Sequence, residues 1–244
     1  MSIPHCSRWL ILLLISAFAV DAIAQPTTRP AHFEKTITKT LSYDYLVWQP
    51  RDYGKGKKVP LLIVLHGSGS CGHDLAKLRD TQVLKYAAAH ADFPLMIAMP
   101  QSPSEKDWWS LETLDAWLDD VMSKYDVDPD RVYLTGISMG AYGVWDWACH
   151  RPDRFAAIAP LAGEGNDDLA AELKHVPVWA FHGARDVEVS PAEEVRMVDA
   201  VNRKGGSAKL TMYPDLGHGI GARTYSNPEL YAWFLEHRRY HESR

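Results

Sequence analysis

The sequence of 244 residues has little cysteine, few long apolar runs and no excess of charge of one sign. Its three cysteines are too few for a disulfide framework, and no Cys/His spacing is typical of a zinc site. The 26 basic and 31 acidic residues are mixed and give a net charge of −5, which argues against a nucleic-acid groove or a basic membrane-binding face. We therefore expect a globular protein with no metal ion and no nucleic-acid partner.

The first 24 residues have the pattern of a signal peptide. Arg8 precedes an apolar run over 9–20, and the small-residue sequence AIA then gives a cleavage site before Gln25. The run is shorter than the roughly 20 residues of a spanning helix, although an uncleaved anchor is the alternative. We expect removal of residues 1–24, a secreted or periplasmic mature protein, and no stable membrane insertion afterwards.

Two cysteines, Cys71 and Cys149, follow the predicted cleavage site. An exported protein can form a disulfide between them. A disulfide needs the two Cα atoms within about 7 Å, however, and the sequence does not show whether they are that close. Whether they are bridged therefore stays open at this point.

Residues 25–33 predict a flexible leader, and residues 34–244 predict one catalytic domain. The alternation of polar and apolar residues over 34–50 predicts an antiparallel N-terminal hairpin or a long antiparallel edge strand. From Val59 onward, short apolar strands alternate with helices that have one apolar face. This alternation indicates an α/β fold, with a mostly parallel central sheet and helices on both faces. The connections are too short for a lid domain.

The sequence GISMG, from Gly136 to Gly140, matches the pattern G-x-S-x-G. In that pattern the serine sits on a strained strand-to-helix turn, and the two glycines remove side chains that would collide with neighbouring elements. The five letters alone are a weak signal, and a glycine-rich turn without chemistry is the alternative. The apolar strand before the pattern and the helix after it favour Ser138 as a nucleophile.

A serine hydroxyl needs a base within hydrogen-bond reach and an acid that orients the base. His218 lies in a glycine-flanked loop after the last predicted strand, at the same edge of the sheet as Ser138, and is the predicted base. Asp186 follows the end of the preceding strand and is the predicted acid, with Glu188 as the alternative. The order serine, acid, histidine is one in which such triads occur.

The loop LHGSGSCGHD follows the first buried strand. A tetrahedral intermediate is stabilised by two backbone N–H groups, one from the residue after the nucleophile and one from this loop. These donors are predicted to be Met139 and Ser68, with Gly69 as the alternative to Ser68. Gly67 and Gly69 let the backbone approach, and His66 is expected to brace the loop through its ring nitrogens.

With these pieces in order, the chain resembles the α/β-hydrolase superfamily. More narrowly, it is similar to secreted carboxylesterases of the phospholipase/carboxylesterase-like, poly(3-hydroxybutyrate)-depolymerase-like and feruloyl-esterase-like groups. The similarity covers roughly residues 34–238 and includes the blocks LHGSGS, VPVWAFHGARD and TYSNPELYAWF. It implies the α/β-hydrolase fold and ester hydrolysis through an acyl-enzyme without a cofactor, and it maps the triad onto Ser138, Asp186 and His218. Two positions depart from the group, Ala141 for a glycine and Gly221 for a tryptophan.

Trp108 and Trp109 lie on the loop after the second buried strand. Adjacent tryptophans in such a loop either line a substrate pocket or cover the core. Together with His66, Gly67 and Gly69 they form the predicted pocket. We thus expect an exported serine carboxylesterase for small, polysaccharide-linked or polyester carboxylic esters. A serine peptidase on the same fold and a catalytically inactive binding module are the alternatives.

Overall fold

The computed structural model describes residues 29–241, so the predicted signal peptide lies outside the described residues. Residues 29–39 belong to a first unit, in which they are exposed and have no regular secondary structure. They include the part of the predicted leader that the structure describes. A second unit begins at Thr40 and contains every helix and strand of the described range.

The second unit alternates strands and helices in the predicted order. The strands are β1 (Asp44–Trp48), β2 (Val59–Leu65), β3 (Met96–Gln101), β4 (Val127–Ile137), β5 (Ala157–Leu161), β6 (Val178–Gly183) and β7 (Ala208–Tyr213). The α-helices are α1 (Ala76–Arg79), α2 (Gln82–Ala89), α3 (Leu111–Lys124), α4 (Met139–His150), α5 (Pro191–Arg203), α6 (Gly221–Tyr225) and α7 (Pro228–Glu236). Short 3-10 helices cover Ser68–Ser70, Pro152–Arg154 and Asp167–His175.

The strands form one sheet in the order β1-β3-β2-β4-β5-β6-β7. Strand β1 pairs antiparallel with β3, and every other pair of neighbours is parallel. The predicted mostly parallel sheet is confirmed. Because parallel strands end at the same edge, the loops that follow β2 to β7 meet there.

Helices cover both faces of this sheet, and successive side chains of β2 show how. Ile63 belongs to a hydrophobic cluster that also includes Trp145 of α4 and Val201 of α5. Its neighbour Leu62 points to the opposite face and belongs to a second cluster, which includes Phe234 of α7. A strand buried on both faces has no polar alternation, which explains the continuous apolar runs in the sequence.

The predicted N-terminal hairpin is wrong, whereas the alternative of an edge strand is confirmed. Strand β1 is an antiparallel edge strand, and residues 29–43 contribute no partner strand within the described range. The two faces of β1 contact the two clusters, for example through Val47 on one face and Trp48 on the other. The residues just before it alternate in the same way but are mostly exposed. Alternation alone did not distinguish a packed strand from an extended exposed segment.

Cys71 and Cys149 are both free thiols, so no disulfide joins them. Burial raises the pKa of the Cys149 thiol to about 12, which keeps it protonated near neutral pH. Within residues 29–241, no helix is long and apolar enough to cross a membrane. The same range contains no group of three or more His, Cys, Asp or Glu side chains that is arranged to hold a metal ion.

Candidate active site

Ser138 occupies the sharp turn between β4 and α4. Its backbone has φ of 55° and ψ of −123°, a conformation that costs energy in any residue with a side chain. The turn is held from both sides, because the Ser138 N–H donates to the Leu161 carbonyl at 2.9 Å and the Ser138 carbonyl accepts from the Ala141 N–H at 2.7 Å. Strain that the surroundings enforce in this way is typical of a functional position.

The two glycines of the pattern let the turn approach β2 closely. A Cβ atom at Gly140 would lie 2.1 Å from the Leu65 carbonyl oxygen, and one at Gly136 would lie 2.6 Å from the Gly140 carbonyl oxygen. Real Cβ atoms do not approach backbone atoms so closely. Both positions therefore require glycine for the steric reason that the sequence pattern predicts.

Asp186 and His218 come together at the carboxyl edge of the sheet. The Asp186 side chain is fully buried, and its Oδ2 lies 2.8 Å from Nδ1 of His218. Its Oδ1 accepts the backbone N–H groups of Glu188 and Val189 at 2.9 and 3.0 Å. The carboxylate is thus fixed from both sides, and it can orient the His218 ring. The alternative acid, Glu188, is exposed and contributes only its backbone to this arrangement.

The ionised form of Asp186 is favoured despite burial. Burial raises the pKa of the carboxyl, but hydrogen bonds from the Val189 N–H, from His218 and from the Glu188 N–H lower it by more. The net result is a pKa below the ordinary value for aspartic acid. An ionised carboxylate is the form that holds an imidazole in one tautomer and stabilises the imidazolium.

The loop of His218 packs against the nucleophile turn, although the Ser138 hydroxyl makes no hydrogen bond within the described residues. A Cβ atom at Gly221, three residues after His218, would lie 3.1 Å from Cδ1 of Ile137, the residue before Ser138. Catalytic hydrogen bonds often tighten only when substrate binds. The structure therefore brings the acid and base into contact and places the loop of His218 beside the serine.

An ion pair closes the loop that carries His218. Arg223 donates to both carboxylate oxygens of Asp215, at 2.7 and 2.8 Å. The hydrogen bond from Arg223 lowers the pKa of the Asp215 carboxyl. From the sequence, Asp215 is interpreted as a turn former that could also help orient the loop of His218, but an eight-residue separation does not indicate its pair with Arg223. A two-pronged pair of this kind restricts the loop on either side of His218.

The two predicted oxyanion donors are the first residues of two helices next to Ser138. Ser68 begins the 3-10 helix after β2, and Met139 begins α4. Neither backbone N–H has an acceptor within the described residues. Gly67 contacts the turn, since a Cβ atom there would lie 3.5 Å from Cβ of Ser138, whereas Gly69 faces open space. Two free N–H groups near a serine are the donors that an oxyanion requires.

His66 braces this loop as the sequence predicts. Its Nδ1 lies 2.7 Å from the Gly67 carbonyl oxygen, and its Nε2 accepts the Ser102 N–H at 3.0 Å. These partners require a proton on Nδ1 and none on Nε2, so we assign the neutral tautomer. Burial lowers the pKa of His66, which also favours the neutral ring.

Gln101 is a second brace that the sequence did not reveal. It ends β3, is buried, and donates through Nε2 to the carbonyl oxygens of Ser70 and Asp74, at 2.7 and 2.9 Å. Its two contacts are 27 and 31 residues away in the chain, so no local pattern indicates them. Gln101 holds the far end of the loop whose near end His66 holds.

A cleft with a volume of about 530 Å³ lies along α4, beginning one turn after Ser138. This size suits a ligand of moderate size. Trp108 is 47% exposed at its wall, and its ring stands edge-on to Tyr142 with the centroids 5.2 Å apart. Trp109, in contrast, is 6% exposed and packs against the His66 ring at 4.8 Å. Both tryptophans line the cleft, but Trp108 presents an exposed ring, whereas Trp109 is mostly buried and supports the loop of His66.

The part of the cleft wall that the segment after β5 and helix α5 contribute is polar. It includes Glu164, Asn166 and Arg196, and Arg196 pairs with Glu164, Glu193 and Asp167. The predicted pocket residues His66, Gly67 and Gly69 do not line this cleft; they belong to the loop beside Ser138. Tyr142 and the polar wall were missed, because they become neighbours only after folding.

Known proteins similar to this chain are hydrolases. The model of the prolyl oligopeptidase family matches residues 166–239. A predicted carboxymethylenebutenolidase of Salmonella typhimurium is 26% identical, over 54% of this chain and 52% of that protein. The poly(3-hydroxyalkanoate) depolymerase C of Paucimonas lemoignei is 44% identical, over 43% of this chain and 32% of that protein. The chain therefore spans about half, or less, of the length of these curated relatives.

A solved structure resembles most of this chain. The crystal structure of a thermostable esterase is 28% identical and has a TM-score of 0.70, over 80% of this chain and 59% of that one. The fold is that of the α/β hydrolases, and the chain resembles the serine esterases among them.

Replacement of Asp186 by asparagine is expected to lower stability by about 2 kcal/mol at pH 7, because two backbone N–H groups and His218 lose their charged acceptor. Since the folded-state pKa of Asp186 is below its ordinary value, its contribution is present above the unfolded-state pKa and is lost as pH falls through the folded-state pKa. Urea unfolding of both proteins at neutral and acid pH measures the difference.

The matched control is Glu188→Gln, which changes an exposed carboxyl two residues away. Its unfolding free energy is expected to stay within about 0.5 kcal/mol of the parent at every pH. A deficit in Asp186→Asn that is the same at pH 7 and at the lowest pH of the folded protein would contradict the assigned ionisation.

Proposed function

We propose that this chain, which has the α/β-hydrolase fold, is a serine carboxylesterase that acts through an acyl-enzyme. The observation that carries the proposal is the strained Ser138 turn beside the hydrogen-bonded pair of Asp186 and His218. The resemblance to a thermostable esterase and to a poly(3-hydroxyalkanoate) depolymerase supports the same class of reaction.

In the proposed reaction, Oγ of Ser138 attacks the ester carbonyl carbon while Nε2 of His218 takes the hydroxyl proton. The carbonyl oxygen becomes an oxyanion, which accepts hydrogen bonds from the N–H groups of Ser68 and Met139. Collapse of this intermediate breaks the ester bond, and the alcohol leaves with the proton from His218. Water then attacks the acyl-serine with His218 as base again, and the carboxylic acid is released. Asp186 orients the imidazole through both steps.

We assign the cleft along α4 to the bulky part of the substrate. Trp108 and Tyr142 offer aromatic faces, and the polar part of the wall, with Asn166 and Arg196, offers hydrogen-bonding groups. In the described chain, only the segment with the 3-10 helix at Asp167–His175 lies between β5 and β6, so no lid domain covers the cleft there. An open site of this kind suits small esters and also carboxylic esters linked to a polysaccharide or polyester.

We also propose that the protein is exported to the periplasm or the medium. The support is the signal-peptide pattern of residues 1–24. Expression of the full chain in a Gram-negative host, followed by N-terminal sequencing, is expected to give a mature protein that begins at Gln25. A protein that keeps residue 1 and stays in the cytoplasmic fraction would contradict export.

Hydrolysis of p-nitrophenyl acetate tests the reaction class. We expect Ser138→Ala to lower kcat/KM by roughly 10³-fold or more, because no other group replaces the nucleophile. The control, Ser123→Ala, removes an exposed serine of α3 and is expected to leave the rate unchanged. Equal rates for Ser138→Ala and the parent would refute the nucleophile assignment.

A serine peptidase is the second candidate, because the prolyl oligopeptidase family model matches residues 166–239. N-acylated peptide p-nitroanilides distinguish the two classes. Faster cleavage of the anilides than of the esters would favour the peptidase. No cleavage of either substrate would favour a binding module on the same fold.

Trp108→Ala is expected to affect bulky substrates selectively. The KM for p-nitrophenyl esters of aromatic acids and for acylated oligosaccharides should rise about tenfold, as loss of one stacking surface predicts, whereas p-nitrophenyl acetate should change less than twofold. Tyr240→Ala removes an exposed aromatic side chain that is not part of the cleft and serves as control. Equal effects on small and bulky esters would remove Trp108 from the substrate site.

A further inference from the structure

The carboxylate of Asp186 is shared between two histidines. Its Oδ2 lies 2.8 Å from Nδ1 of His218 and 3.1 Å from Nε2 of His182. His182 is the penultimate residue of β6, and its side chain is fully buried. Asp186 therefore connects the candidate base to a second imidazole, which solvent does not reach. The reaction described above does not use this second ring.

The partners of His182 define where its protons lie. Its Nε2 faces Oδ2 of Asp186 and the Val189 carbonyl oxygen, each at 3.1 Å. A carbonyl oxygen only accepts, and so does the ionised carboxylate of Asp186, so Nε2 carries a proton and donates. This donor approaches the same carboxylate oxygen that holds His218.

The other ring nitrogen of His182 meets a second buried carboxyl. Its Nδ1 lies 3.1 Å from Oε2 of Glu194, a fully buried residue of α5. Glu194 also accepts the backbone N–H of Gly163 and the indole N–H of Trp145, each at 3.0 Å. Burial raises the pKa of the Glu194 carboxyl above its ordinary value, and the hydrogen bonds from His182, Gly163 and Trp145 offset only part of this rise. The two fixed N–H donors use the carboxyl oxygens as acceptors, and on this geometry we assign the second proton of the pair to Nδ1 of His182.

The electrostatics of the ring agree with this geometry. Burial lowers the pKa of His182, but the hydrogen bond and the negative charge of Glu194 raise it by more, so that the net shift is upward. An uncompensated buried charge would cost several kcal/mol, whereas here the cation lies between two carboxylates.

We propose that His182 and Glu194 form a buried ion pair that positions Asp186 for His218 and sets the lower pH limit of activity. The inference rests on the proposed esterase function. The positive charge of His182 offsets part of the field that the Asp186 carboxylate exerts on the catalytic ring. Because the His218 ring then attracts a proton less strongly, its pKa is lower and it remains available as a base at lower pH. His182 and Glu194 are positioning residues, since neither lies among the atoms that react.

The titratable groups around His182 come from three segments. The loop after β6 contributes Asp186, α5 contributes Glu194, and the loop after β7 contributes His218 through its bond to Asp186. The segment after β5 and helix α4 contribute only the neutral donors of Gly163 and Trp145. The pH behaviour of the pair is therefore attributable to these four side chains.

Nuclear magnetic resonance of ¹⁵N-histidine-labelled protein tests the ion pair without any substrate. The variant His182→Gln identifies the signals of this ring. We expect both of its nitrogens to stay protonated from about pH 6 to 8, where an ordinary histidine titrates. In Glu194→Gln the ring should be neutral near pH 7. A neutral His182 ring in the parent at pH 7 would overturn the proposal.

Kinetics with p-nitrophenyl acetate test the positioning role. His182→Gln keeps an N–H donor toward Asp186 but removes the charge. The acid limb, which is the low-pH part of the plot of kcat/KM against pH where activity falls, should therefore move to higher pH by about 0.5 to 1 unit. At pH values above this limb, kcat should change less than threefold. Glu194→Gln should move the acid limb in the same direction. His182→Leu removes donor and charge, and kcat should fall about tenfold with little change in KM. An unchanged limb in both glutamine variants would refute the role.

A control separates loss of positioning from loss of stability. Val201→Ala creates a small cavity in the core against α5 and removes none of the hydrogen bonds of the ion pair. It should lower the unfolding midpoint without moving the acid limb. If Ser138→Ala proves as active as the parent, the proposed function fails on its own, and the protonation state of His182 still decides whether the ion pair exists. If the esterase function and the ion pair are both confirmed but the acid limb does not move in the glutamine variants, only the positioning role fails.

Discussion

The backbone contact between the end of β2 and the start of α4 governs the geometry of the site. At Gly140 a single added carbon would lie 2.1 Å from the Leu65 carbonyl oxygen, so the helix can approach only because that carbon is absent. This approach forces the turn at Ser138 into its strained conformation and brings the loop after β2 against the serine. The candidate nucleophile and both candidate oxyanion donors therefore depend on one tight contact between two backbones.

Next to the loop of His218, the buried side chains of Asp186, His182 and Glu194 all have hydrogen-bond partners. The Asp186 carboxylate accepts three N–H groups, from Glu188, Val189 and His218, and Nε2 of His182 lies 3.1 Å from its Oδ2. Glu194 accepts three, from Trp145, Gly163 and His182. Buried charges are tolerated only when their hydrogen-bonding capacity is used in this way. The same donors that make the site foldable also define which ring atoms carry protons.

Much of the site was predictable from the sequence, because its main signals are local or depend only on the order of elements. The glycines around Ser138, and the positions of Asp186 and His218 after the ends of strands, follow from patterns of a few residues. The braces did not, because Gln101 and Glu194 act on partners that are distant in the sequence.

The sequence-based predictions were wrong or incomplete where one local pattern is compatible with both a packed and an exposed position in the fold. The residues before β1 alternate like a strand but pair with no other strand within residues 29–241. Trp108 and Trp109 are adjacent and chemically identical, yet one is half exposed and the other buried, and the backbone turns at Trp108, where φ is 48°. Periodicity and composition describe a residue's neighbours along the chain, whereas these outcomes depended on its neighbours in space.

The cleft along α4 and the catalytic groups come largely from different parts of the chain. The cleft wall uses the loop after β3, the outer face of α4 and the segment after β5, whereas the candidate acid and base lie on loops after β6 and β7. Substitutions of Trp108 or Tyr142 in the cleft wall therefore leave the contacts of Asp186 and His218 in place, whereas Trp145 also lines the cleft and donates to Glu194. Under the proposed esterase function, a lineage with this architecture can change which ester it prefers by small steps while each intermediate sequence keeps the contacts of the acid and base.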